Sequence, residues 1–382
     1  INSGFIANQP TVDTNQTVTQ TDITSGTLTV AATLTSPVTL SGSGNMTINV
    51  GGQVVGNVGH GSTGTTNNNG TITGTLSVSS GTVNNAGVVT GTTTVTGGTL
   101  NLDAGTNLSD ANTLTVNGGT VNVNASDTVG ALAGTGGTVD IDAGQALSIG
   151  GATSTSYGGI ISGAGGLTQA GTGTLTLTGV NTITGPVNVN SGTIALSGAG
   201  ALATTAITTL AGGTLATDGG ALNTNAVISN GGILALTGGT ETVNSVSGAG
   251  AIQLNTGSLT RDSGASAISG VISGTGSLTV TGTSVTTLTG VNTATGATNV
   301  TGGTLNITGA GSVASTAVNV SSGTLTTDSD ALGAGTTVTV SGTGTFTSSG
   351  TDSFAALTQS GGTVDGSGVL TLSGAFTQSG GT

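Results

Sequence analysis

The chain has 382 residues, 74 of them glycine; only 4% are charged, with 14 carboxylates against one cation, Arg261, and a net charge of −13. That balance argues against nucleic acid and anionic membrane surfaces as partners, since both need clustered Lys or Arg. Cysteine is absent, which removes disulfide and thiolate chemistry, and no apolar run approaches the roughly 18 residues of a membrane-spanning helix.

Residues 1–21 read as a polar N-terminal arm or cap, with the strand-like stretch TVDTNQTVTQ at 11–20. From residue 22 to 382 one signal recurs: a Gly-Thr corner, most often GGT or SGT, followed by an apolar residue. It marks Leu28, Ile72, Val83, Leu100, Val121, Val139, Leu175, Ile194 and Leu215, and later Leu305, Leu325, Phe346 and Val364. From Val83 onward most steps are 17 to 21 residues. A period near 20 with one strand signal per step is the mark of a solenoid coil.

Within each step the residues alternate. In TVNVN (120–124), TVDID (138–142), TLTLTG (174–179) and TLNIT (304–308), aliphatics fall on one side and Thr, Asn or Asp on the other. Successive side chains of a strand point to opposite faces, so the aliphatics face a core and the polar residues face water. β-Branched Thr and Val suit the extended backbone, and Gly and Asn serve the corners. The expected fold is all-β: a single continuous right-handed parallel β-helix of about 20-residue coils.

The stretch 52–70 (GQVVGNVGHGSTGTTNNNG) lacks a clean step and reads as a protruding, loop-like insertion. Its His60, the sole histidine, reads as a solvated loop residue rather than a base or ligand, because no carboxylate lies nearby in sequence. The 14 carboxylates are scattered singly and read as surface charge.

Two long phrases repeat each other. Residues 157–200 and 268–311 align without a gap at an offset of 111, with 25 identities in 44 positions, and the similarity runs on to 222 and 332. The core of the phrase, GIISGAGGLTQAGTGTLTLTGVNTITG, and its copy GVISGTGSLTVTGTSVTTLTGVNTATG resemble the passenger-associated repeat of bacterial autotransporters. That family's pattern has a Lys before the Gly-x-Gly-Thr-Leu strand, where this chain has Gln169 and Val280, and an aromatic after the Asn, where it has Ile183 and Ala294. The resemblance implies a β-helical passenger carried to the surface of a Gram-negative cell by a C-terminal membrane barrel. No such barrel lies within the sequence, and the chain stops at TQSGGT, partway into another step, so continuation past residue 382 is expected.

No catalytic residue is assigned. A serine protease would have only His60 as its base and lacks a GxSxG elbow, and without Lys there is no phosphate loop. No cofactor is expected; Ca²⁺ is the only metal with candidates. Asp140 and Asp142 share a strand face, and Asp328 and Asp330 lie in TTDSDALGAG, although the spacing is not that of an EF-hand. The expected function is a structural and adhesive surface stalk, not an enzyme, meeting host or matrix molecules or copies of itself. A self-assembling surface-layer or filament subunit is the alternative, and a polysaccharide-active enzyme the third reading.

Overall fold

The computed structural model describes residues 4–5, 11–104 and 108–382. Residues 1–3 and 6–10 of the expected arm lie outside the described residues. The chain divides into two compact units, Ile1–Asn188 with Gly192–Ala195, and Val189–Ser191 with Leu196–Thr382. Both are β-solenoids: the described residues form strands of two to five residues and no helix, stacked as parallel sheets.

In the first unit a nine-stranded sheet runs from Thr11–Val12 to Ile160–Gly163, an eight-stranded sheet from Gly4–Phe5 to Ala131–Ala133, and a five-stranded sheet from Gln16–Thr17 to Val88–Val89. Each strand pairs with the equivalent strand of the next coil. Val58 lies opposite Val38 and Leu76, and Thr93 lies opposite Leu76 and Leu114, so these coils are 17 to 21 residues long, as the step length predicts, and the step from Val139 to Ile161 is 22.

The register turns alternation into files. Leu28, Met46, Thr66, Val83, Leu100, Val121, Val139 and Ile161 line up inward, all essentially buried. One residue along, Thr29, Thr47, Asn67, Asn84, Asn101, Asn122, Asp140 and Ser162 line up outward. The outward amides bond along the file: Asn84 donates to Asn67 at 2.8 Å, Asn101 to Asn84 at 2.7 Å and Asn122 to Asn101 at 2.7 Å. Each fully buried Leu or Ile contributes roughly 1.5–3 kcal/mol, and each coil covers the apolar edge of the next.

The second unit repeats the plan, with an eight-stranded sheet from Thr240–Val243 to Phe376–Gly380 and a six-stranded sheet from Ala265–Ile268 to Thr363–Asp365. Here Leu305, Leu325 and Phe346 share an inward file, and Phe346 meets Phe354 edge to face at 6.3 Å. Close stacking explains the GT corners. Gly192 in the first unit and Gly303 in the second, 111 residues apart in sequence, have φ of 58° and 60°. A Cβ there would lie 2.3 Å from the Gly173 carbonyl oxygen and 2.2 Å from that of Ser284, respectively. Only Gly fits both the left-handed backbone and the approach.

Two expectations differ from what is observed. The stretch 52–70 is no loop: it contains strands Gln53–Val55, Val58–His60 and Thr65–Asn68, each paired in register on both sides. The described residues 11–21 likewise belong to a coil, since Thr11–Val12, Gln16–Thr17 and Thr21–Ile23 pair with Thr29–Val30, Leu34–Thr35 and Val38–Leu40.

Candidate functional site

Of the two amides that the copies of the phrase share, the buried one, Asn181 in the first copy and Asn292 in the second, lies inside the wall of the solenoid. Asn181 Oδ1 accepts from the Ile161 N–H of the preceding coil at 2.9 Å, and its Nδ2 donates to the Gly179 carbonyl at 2.9 Å. Asn292 does the same with the Ile272 N–H at 2.8 Å and the Gly290 carbonyl at 3.0 Å, and adds the Ser312 carbonyl at 2.9 Å. A buried backbone group without a partner is costly, so these amides complete hydrogen bonding where the strand ladder breaks.

A family model described as passenger-associated-transport-repeat matches residues 167–196, 273–307 and 363–382. The chain carries passenger-associated transport repeats. With the stacked parallel coils, they fit a β-helical autotransporter passenger domain. The first two matches fall on the phrase repeated at an offset of 111; the third, over Thr363–Asp365, Val369–Leu372 and Phe376–Gly380, is one that inspection of the sequence missed. Its signal was there, for LTQSGGT (357–363) returns as FTQSGGT (376–382) and pairs with it in register from Leu357 and Phe376 to Gln359 and Gln378, where the register shifts by one residue. No curated protein matches the chain, and no solved structure does.

Where the passenger repeats depart from the family pattern, the core records it. Ile183 is fully buried in the first copy. In the second, Ala294 leaves a cavity of about 10 Å³ lined with Ile272, Leu278, Leu288, Asn292 and Val313. Ile183→Ala is expected to lower stability by about 2–4 kcal/mol. Ala294→Val is expected to raise it by about 0.5–1 kcal/mol. Paired urea titrations check both; a loss on filling Ala294 would show that the site is already packed.

Gln169 occupies the place of the family's Lys and points inward, in register with Ile149. It is buried, and its Nε2 donates to the carbonyls of Gly171 and Gly173 at 3.0 and 3.1 Å. In the other copy Val280 fills the equivalent place as an ordinary core residue.

The four candidate calcium ligands do not converge. Asp140 lies on the outward file and accepts from Ser162 Oγ at 2.5 Å, while Asp142 is exposed just beyond the strand. Asp328 Oδ2 accepts from the Gly309 N–H at 2.6 Å, and Asp218, 110 residues earlier, caps the Gly198 N–H at 2.9 Å in the same way. Asp330 is exposed with φ of 57°, the only non-glycine with positive φ among the described residues. No three His, Cys, Asp or Glu side chains gather as a metal site among the described residues.

Not all carboxylates are surface charge, contrary to their scattered appearance. Asp127, Glu241 and Asp352 are buried, each on an inward strand position. Asp127 Oδ2 accepts from the Leu108 N–H at 3.0 Å. Glu241 accepts from the Thr217 hydroxyl, from the Ala221 N–H at 3.0 Å and from the Leu222 N–H at 3.2 Å. Asp352 accepts from the Ala331 N–H at 2.9 Å and from the hydroxyls of Thr327 at 2.6 Å and Ser348 at 3.0 Å. Arg261 is buried too, donating to the carbonyls of Val243, Asn244 and Gly264. Burial lowers its pKa to about 10, with Asp262 opposing the shift.

His60 is a further correction. It is 1% exposed rather than solvated, because it sits on an inward position in register with Leu40 and Val78. Thr66, Asn68 and Asn85 are likewise buried on inward strand positions of the same unit, so polar residues at core positions are what hid the rung.

Proposed function

We propose that this chain is a structural stalk of a bacterial cell surface, exported through the outer membrane, that holds adhesive contacts away from the cell. The observation that carries this reading is the use of the passenger repeat's own polar residues. Asn181 and Asn292 spend their hydrogen bonds on neighbouring backbone, as do Asp127, Glu241 and Asp352. A scaffold that invests its buried polar groups in coil stacking supports a mechanical role over catalysis. The outward faces are Thr and Asn files with few charges, a surface for contact with polar matrix or host molecules.

The test is expression of the full reading frame in a Gram-negative host, with antibody labelling and protease shaving of intact cells. Surface labelling with gain of adhesion to matrix-coated wells is expected. A chain retained inside the cell would overturn the export reading, and surface display without adhesion would reduce the role to a bare stalk. Sheets or fibres of the purified chain in electron microscopy would favour a self-assembling subunit instead.

A further inference from the structure

We propose that His60 is an acid-sensitive release point in the first unit: the neutral imidazole completes the core, and its protonation loosens the coils stacked on it. The argument starts from position. Ile23, Leu40, His60, Val78 and Val95 form one inward file, so an imidazole stands where its neighbours are aliphatic. Its Nδ1 is 3.0 Å from Thr66 Oγ1, and its Nε2 is buried without a hydrogen-bond partner.

No charge is available to compensate a proton. Among residues 23–102, His60 is the only ionisable side chain, so the strands packed around it, Val38–Leu40, Leu76–Val78, Asn45–Ile48, Thr65–Asn68 and Thr82–Asn85, present neither a carboxylate nor a cation. The nearest acids in sequence are Asp22, two coils away on an outward strand position, and the exposed Asp103. Burial pushes the imidazole below its ordinary range, and the nearby Gly64 backbone opposes this only in part.

The sign follows from linkage. With the folded group harder to protonate than the unfolded one, the unfolded chain takes up more protons below the ordinary pKa of 6.5, and stability falls as pH drops through that window. At neutral pH the imidazole costs no charge burial. This is the only histidine in the chain, so the effect is confined to the coils that touch it.

Hydrogen exchange of the whole chain at pH 7.5 and pH 5, corrected for intrinsic rates, reads the effect directly. Strands Val38–Leu40, Val58–His60 and Leu76–Val78 are expected to lose up to about 30-fold in protection at pH 5, the factor for a group with an unfolded pKa of about 6.5 that stays neutral when folded. Strand Thr304–Ile307 in the second unit serves as the unchanged control. His60→Leu, matching Leu40, is expected to abolish the pH dependence; His60→Gln does the same if the Leu variant fails to fold. Equal protection at both pH values in the native chain overturns the proposal, as does an unchanged pH dependence in either variant. So does an imidazole that titrates by NMR at or above 6.5.

Discussion

Replacing Glu241 by Ala is expected to destabilise the second unit by about 2–5 kcal/mol, because two buried N–H groups, those of Ala221 and Leu222, lose their acceptor at once. The Thr217 hydroxyl loses its partner as well. Glu241→Gln keeps the shape and one acceptor oxygen but sets an amide N–H₂ against a backbone donor, so it should fall between the wild type and Ala. The same device recurs 110 or 111 residues on, where Asp352 serves Ala331 and Thr327, so Asp352→Ala should cost a similar amount. Urea titration measures the loss, and hydrogen exchange at Ala221 and Leu222 locates it. A change in Glu241→Ala below about 1 kcal/mol would show that water replaces the carboxylate and that the cap is dispensable.

Trypsin is expected to leave the folded chain intact for at least about 10³ times longer than the urea-unfolded chain, then to cut it once, into 1–261 and 262–382. Arg261 is the only site, since the chain has no Lys and no other Arg. It is 0% exposed, it ends the strand Ser258–Arg261 paired between Thr240–Val243 and Leu278–Val280, and its guanidinium is tied to the Val243 and Gly264 carbonyls at 2.9 Å each. Cleavage therefore needs several coils to open together, and its rate follows the population of that opened state. Gel analysis over time gives the ratio. Comparable rates in buffer and urea would mean that this part of the solenoid opens locally at little cost.

The alternation in TVNVN and TLNIT and the 17-to-21-residue step were enough to read strands, inward aliphatics and parallel stacking directly from the chain, because side-chain direction along a strand has a strict period of two. The corners were legible for the same kind of local reason: a Gly such as Gly192 or Gly303 is needed wherever the backbone turns left-handed against the coil below. The misread side chains are polar residues at inward phase. His60 looked like a loop residue, although aligning VGH with VTL and LSV, one coil on either side, puts it in line with Leu40 and Val78. Glu241 and Asp352 looked like surface charge, and their shared role shows only once the coils stack and each accepts from a backbone N–H about 20 residues earlier.

Local sequence thus determined the coil, its period and its apolar face, because these depend on residues within one strand and its turns. The tertiary structure decided which polar groups go inside. Whether an Asp, Glu, Asn, His or Arg can be buried depends on donors and acceptors carried by a neighbouring coil, typically about 20 residues away in the chain. The Leu108, Ile161, Ala221 and Ala331 N–H groups that receive Asp127, Asn181, Glu241 and Asp352 come within reach only when the coils stack in register.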